Sequence, residues 1–179
     1  MLPEFINGLP LHALVVHFVV VLLPIAVAGS ILTAVWPAVR RRYGWLAVAA
    51  AGVGALLVPV ATTSGTELST RIPPNPLIAE HERLGDMMIW WAVPLFIVVA
   101  ALMVLHRMGE RQGVESAAGG PGTTATKRTT GTTVAMLVAA VLTVGIAVGT
   151  GVHIFRVGEA GSRAVWEFVE DTPPNNTGG

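Results

Sequence analysis

Residues 10–35 read PLHALVVHFVVVLLPIAVAGSILTAV, and from Ala13 onward this run contains no Asp, Glu, Lys or Arg. At 1.5 Å of rise per helical residue, about 20 apolar residues cross the hydrocarbon core of a bilayer. The run is therefore a membrane span. Three further blocks, 45–61, 87–105 and 134–152, have the same charge-free apolar character. The chain is accordingly expected to be all-α, an integral membrane four-helix bundle with up-down connectivity. It forms a single membrane domain over 1–179, with spans near 12–38, 44–64, 76–107 and 133–155.

Composition points the same way. Of the 179 residues 53% are hydrophobic and 12% charged, against a charged share of about 25% in soluble domains. The absence of fixed charge within the spans disfavours an ion-coupled transporter, whose pathway needs ionisable groups. The chain has no cysteine, which excludes disulfides, thiolate metal sites, covalent c-type haem attachment and thiol redox chemistry. Any redox role requires a bound cofactor. Basic residues are dispersed rather than gathered into a phosphate-tracking stripe, so the expected partner is the lipid bilayer and not nucleic acid.

The opening MLPEFINGLP has neither a basic n-region nor a small-residue cleavage pattern, so the first helix is expected to remain in the mature protein. Loop charges set the expected orientation, because Lys and Arg stay on the cytoplasmic side of short loops. Arg40, Arg41 and Arg42 follow span one, and Arg107, Arg111, Lys127 and Arg128 follow span three. The opposite side holds Arg71, Arg83, Arg156 and Arg163 together with most of the acids. This predicts a multi-pass protein of the bacterial cytoplasmic (inner) membrane, N-out and C-out. Trp36, Trp45, Trp90 and Trp91 lie near span ends, where interfacial anchors belong.

Segment 109–132, rich in Gly, Thr and Ala, is expected to be a flexible cytoplasmic linker, and 172–179 a disordered tail. Pro24, Pro59 and Pro94 fall inside spans, where they produce kinks that neighbouring helices accommodate. Gly145 and Gly149 form a GxxxG step that admits a close helix or a flat ligand. Such small-residue faces also leave a homo-oligomer open.

Under this topology His12, His17, His81 and His153 gather on the outward side, and His106 alone is cytoplasmic. Asn75 is placed to cap a helix and Pro76 to occupy its first turn, so the third helix starts outside the lipid. Leu77, His81, Leu84 and Met88 then share one face, turning His81 toward the bundle, with Gly85 leaving room one turn later. His12 and His17 lie about 140° apart around their helix and about 7.5 Å apart along it. His12 can reach interfacial water, whereas His17 needs a partner, since an unpaired polar group in an apolar medium costs roughly 2 to 7 kcal/mol.

Three readings of these histidines remain open. In the first they are helix-end groups bonded to water, carbonyls or carboxylates, in a cofactor-free structural or partner-binding subunit. Alternatively two of His17, His81 and His153 are axial ligands of a non-covalent b-type haem, with Gly85 and Gly149 admitting the ring, in an electron-transfer protein with a redox partner. The third is a zinc, copper or iron site drawn from His12, His17, His81 and His153 with a carboxylate, in a metal-dependent membrane enzyme. No catalytic residue is assigned. HERLG, residues 81–85, begins like the zinc-protease HExxH but ends in Gly85, and no GxSxG, P-loop or dinucleotide fingerprint is present.

The stretch GLPLHALVVHF, residues 8–18, resembles the G-x-P-L-H-P-L-x-V-H-F-P opening of bacterial four-helix membrane proteins grouped as domain of unknown function 2231. AEHERLGD is similar to that family's histidine before helix three, and GVHIFRVGEAG to its glycine-rich end of helix four. Ala13 and Val19 stand where the family usually has proline. The resemblance, over roughly residues 8–165, implies an integral membrane protein whose relatives are sometimes joined to electron-transfer domains. It points to His12, His17, His81 and His153 without supplying an activity.

Overall fold

The computed structural model describes residues 5–118 and 125–170, with side chains for 5–111 and 131–167. A short hairpin comes first, β1 (Phe5–Ile6) paired antiparallel with β2 (Leu9–Pro10). Its two turn residues, Asn7 and Gly8, have φ of 51° and 81°. An Asn-Gly pair with both φ positive is the turn whose twist matches two antiparallel strands. The helices are α1 (Leu11–Val35), α2 (Pro37–Ser69), α3 (Pro76–Asp86), α4 (Ile89–Ala118) and α5 (Ala125–Glu170).

Four helical stretches, Leu11–Val35, Pro37–Ser69, Pro76–Arg111 and Gly131–Glu167, are long and apolar enough to cross a membrane. They form a closed ring in which α1 packs on α2, α2 on α4, α4 on α5, and α5 back on α1. Large apolar side chains cover the outside: Leu56 is 73% exposed, Trp90 77% and Val141 71%. A water-soluble bundle would have polar groups there, so this is the surface of a helix bundle immersed in lipid.

Between α1 and α2 only Trp36 is non-helical, at φ −118° and ψ 105°. Pro37 explains this, since it holds the preceding residue extended and suits the first position of the next helix. Arg40, Arg41 and Arg42, expected in a loop, therefore lie in the first turns of α2. Arg40 is buried and reaches back, its Nε donating to Thr33 O at 2.8 Å and its Nη2 to Ala34 O. A cation thus satisfies carbonyls at the C-terminal end of α1.

The hairpin of helices then runs in one antiparallel register. Gly44 accommodates Thr33 and Met103, Gly54 accommodates Leu23, and Gly65 accommodates His12. The close-approach stripe of the bundle is this face of α2, with Ala47, Ala51, Ala55 and Ala61 also buried. It is not the Gly145–Gly149 step. Gly145 is exposed with nothing near it, and Gly149 holds the ring of Trp91.

Sequence periodicity predicts one helix across 76–107, but the backbone breaks at Met87 and Met88. Asn75 caps α3 as its type suggests, accepting from Leu77 N–H at 2.8 Å, with Pro76 in the first turn. At the other end Met88 N–H bonds Gly85 O, and Trp90 and Trp91 N–H bond Met87 and Met88 O, all three-residue steps. Of the other expected spans, 12–38 is cut short, since α1 ends at Val35, whereas α2 and the last two helices run longer than read from sequence. α4 continues to Ala118 and α5 begins at Ala125, so helix occupies the described backbone of the segment expected to be a linker. The expected tail, 172–179, lies outside the described residues.

A methyl at Gly149 would sit 2.3 Å from Trp91 Cζ3, whereas one at Gly145 meets nothing within 4 Å. Gly149→Ala is expected to destabilise the bundle by about 1 to 3 kcal/mol, the usual cost of overpacking. Gly145→Ala is expected to leave it unchanged, and mixed-micelle unfolding midpoints of the two variants check this contrast.

Candidate functional site

The end of the bundle that carries the start of α1, the end of α2, all of α3 and the C-terminal half of α5 encloses a cleft of about 600 Å³. Its walls are mostly aliphatic, including Val16, Val19, Leu23, Val58, Ile154 and Val157. A mostly apolar concavity with few polar groups is the usual form of a small-molecule or cofactor site. The polar groups here include His12, His81, Glu82 and Asp86.

His12 stands in the first turn of α1. Its Nδ1 lies 2.8 Å from Ala61 O on α2. A carbonyl only accepts, so Nδ1 carries the proton and donates. The ring lies over Gly65, where an added Cβ would be 2.9 Å from Cε1. His81, on α3, repeats the arrangement against α5. Its Nδ1–H donates to Val157 O at 3.0 Å, and its ring lies over Gly161, where a Cβ would be 3.0 Å from Cε1. In both cases the accepting carbonyl and the glycine are four residues apart. Helical geometry places the i+4 residue beside that carbonyl, and glycine leaves the space through which the imidazole approaches.

The two rings face each other with centroids 6.5 Å apart and planes at 82°. With Nδ1 protonated, the neutral imidazole keeps a lone pair on Nε2. Among the described residues neither Nε2 has a hydrogen-bond partner. Glu82 Oε1, in the same cleft, is buried and also without one. Buried polar atoms are nearly always bonded, and Glu82 Oε1 is among the few described side-chain atoms here that are not.

The other expected site residues fall elsewhere. His17 is exposed on the outer face of α1, its Nδ1–H bonded to Ala13 O of its own helix. His153 is buried at 5% exposure, and its Nε2–H donates to Leu84 O at 2.9 Å. That carbonyl is free because Met88 N–H has turned to Gly85 O. Trp91 stacks on His153 at 5.9 Å and 25° and fills the groove at Gly149. The place expected to admit a flat ligand is thus taken by an indole of α4. Gly85 lines the cleft with open space beside it.

The structure therefore brings together His12 and His81, not His17 and His153. Among the described residues no group of three or more His, Cys, Asp or Glu converges to hold a metal ion. Gly65 and Gly161 were not singled out by sequence reasoning. The available signal was a glycine within helical sequence on the same side of the membrane as the histidines.

His153→Phe keeps a ring against Trp91 but removes the donor to Leu84 O, and an unsatisfied buried carbonyl costs about 1 to 3 kcal/mol. A loss of that size is expected in mixed-micelle unfolding. His17→Ala, at an exposed position, is expected to change stability by less than about 0.5 kcal/mol.

No curated protein and no solved structure matches this chain. A family profile described as "Predicted membrane protein (DUF2231)" matches residues 8–172. That span takes in the hairpin turn at Gly8, all four membrane-crossing stretches and both tethered histidines, and the chain belongs to the DUF2231 family of membrane proteins.

Proposed function

We propose that the protein binds a non-covalent b-type haem between His12 and His81 and serves in electron transfer at that end of the bundle. The observation that carries this reading is the paired imidazoles, each tethered through Nδ1–H to a helix carbonyl and each keeping a free Nε2 at an apolar cleft. Metal-binding histidines characteristically donate their second ring nitrogen to a carbonyl or carboxylate, which fixes the tautomer and raises the basicity of the ligand.

Ligand number favours haem over a bare ion. A zinc or copper site draws three or four ligands from the protein, and among the described residues no third His, Asp or Glu converges with the two imidazoles to hold an ion. A porphyrin brings four nitrogens of its own, so two axial histidines complete the coordination. Spacing agrees: imidazoles on opposite faces of one metal, at metal–nitrogen bonds of about 2 Å, have centroids about 6 Å apart, against 6.5 Å here. The cleft, at about 600 Å³, lies within the roughly 300 to 1,000 Å³ of ligand pockets.

When bound, the haem supplies one-electron iron chemistry. The chain's own contribution is to hold two rings in position at a cleft lined mostly by aliphatic side chains. Arg40, Arg41, Arg42, Arg107 and Arg111 lie at the opposite end of the bundle, and the bias of basic residues toward the cytoplasm supports an outward-facing cleft.

Reduced-minus-oxidised visible spectra of detergent-purified protein, expressed with ample haem, test the proposal. A sharp α band with one haem per chain is expected. His12→Ala and His81→Ala are expected to lose the low-spin spectrum, and His17→Ala and His153→Ala to retain it. A flat spectrum from folded, haem-supplied protein overturns the reading.

A further inference from the structure

The glycines beneath the two imidazoles do more than admit them. We infer that Gly65 and Gly161, with the carbonyls of Ala61 and Val157, are positioning elements that hold the two axial rings near perpendicular and so set the electronic state of the bound iron. The inference rests on the haem reading above.

Its basis is a second observation, independent of the ring spacing. Each imidazole is confined at two points: its Nδ1–H donates to a carbonyl at 2.8 or 3.0 Å, and its Cε1 edge lies 2.9 or 3.0 Å from where a Cβ would stand on the glycine one turn further along the same helix. A hydrogen bond alone leaves the ring free to swing about the N–H···O direction. Contact with the helix surface at the glycine removes much of that freedom. His12 is held against α2 and His81 against α5, and the outcome is an angle of 82° between the planes.

The ring planes matter because each axial imidazole donates through a π orbital perpendicular to its own plane. Parallel rings act on the same iron d orbital and split the dxz and dyz pair. Perpendicular rings act on one orbital each and leave the pair nearly degenerate. Ferric low-spin iron reports this directly in its electron paramagnetic resonance spectrum. Split orbitals give three well-separated lines, and near-degenerate orbitals give a single dominant low-field feature.

A Cβ at either glycine would stand 2.9 or 3.0 Å from a histidine ring atom, closer than packed carbons allow. The ring is the mobile end of a side chain, so Gly65→Ala or Gly161→Ala displaces it rather than the backbone. Gly145, on α5 but outside the cleft, is exposed and has nothing within 4 Å of an added Cβ. Gly145→Ala is the control.

The experiment is the low-temperature spectrum of the ferric, haem-loaded full-length protein. The expected result is the single low-field feature for the parent chain and for Gly145→Ala, and a shift toward the three-line form for Gly65→Ala and Gly161→Ala at undiminished haem content. A three-line spectrum from the parent chain overturns the inference while leaving bis-histidine haem binding intact. A parent-like spectrum in both glycine variants overturns the role given to Gly65 and Gly161. Failure to bind haem at all overturns the underlying reading instead. Should a glycine variant not fold, the parent spectrum still decides the ring angle.

Discussion

The hydrogen bond from His153 to the carbonyl of Leu84 is the interaction on which the cleft end of the bundle depends. In lipid no water is at hand to satisfy a carbonyl released by a helix break. The break after Asp86 releases that carbonyl, because Met88 N–H turns to Gly85 instead. His153 meets it from α5, and Trp91, the residue just beyond the break, packs on the His153 ring and into the notch at Gly149. One imidazole thus joins the end of α3, the start of α4 and the middle of α5. With the break secured, α3 lies against α5 and α2.

The cleft follows from that arrangement. His12 ties α1 to α2, and His81 ties α3 to α5, so four helices are joined in two pairs whose imidazoles meet between them. The α1–α2 pair is registered from the far end. The one-residue junction at Trp36, set by Pro37 and secured by Arg40, determines which residues of two antiparallel helices come level. The register that seats Thr33 at Gly44 and Leu23 at Gly54 delivers His12 to Gly65. A site near one membrane surface is therefore aligned by a turn near the other. Each tether also leaves one polar atom open. The Nδ1 of each ring is satisfied, and among the described residues each Nε2 and Glu82 Oε1 have no hydrogen-bond partner.

Much of this was legible in the sequence. Charge-free apolar runs identify the spans because burying a fixed charge in hydrocarbon is costly. Asn75 and Pro76 mark the start of α3 through local chemistry, and the periodicity of Leu77, His81, Leu84 and Met88 turns His81 inward. The Asn7-Gly8 turn was equally available as a hairpin signal. Trp91 was not legible, since a tryptophan near a span end suits the interface and a groove equally. The pairing of histidines was not legible either. His12 and His17 differ by a rotation about one helix, and which face meets a neighbour depends on the register of the whole bundle.

The sequence by itself determined four apolar helices, their up-down order and the gathering of four histidines toward one end, because these follow from local polarity and the thickness of a bilayer. Only the tertiary structure decided that His12 and His81 face each other while His17 looks outward and His153 serves the backbone. Those roles depend on which carbonyls are left accessible, by a glycine one turn away or by a helix break. That accessibility exists only once the helices have packed.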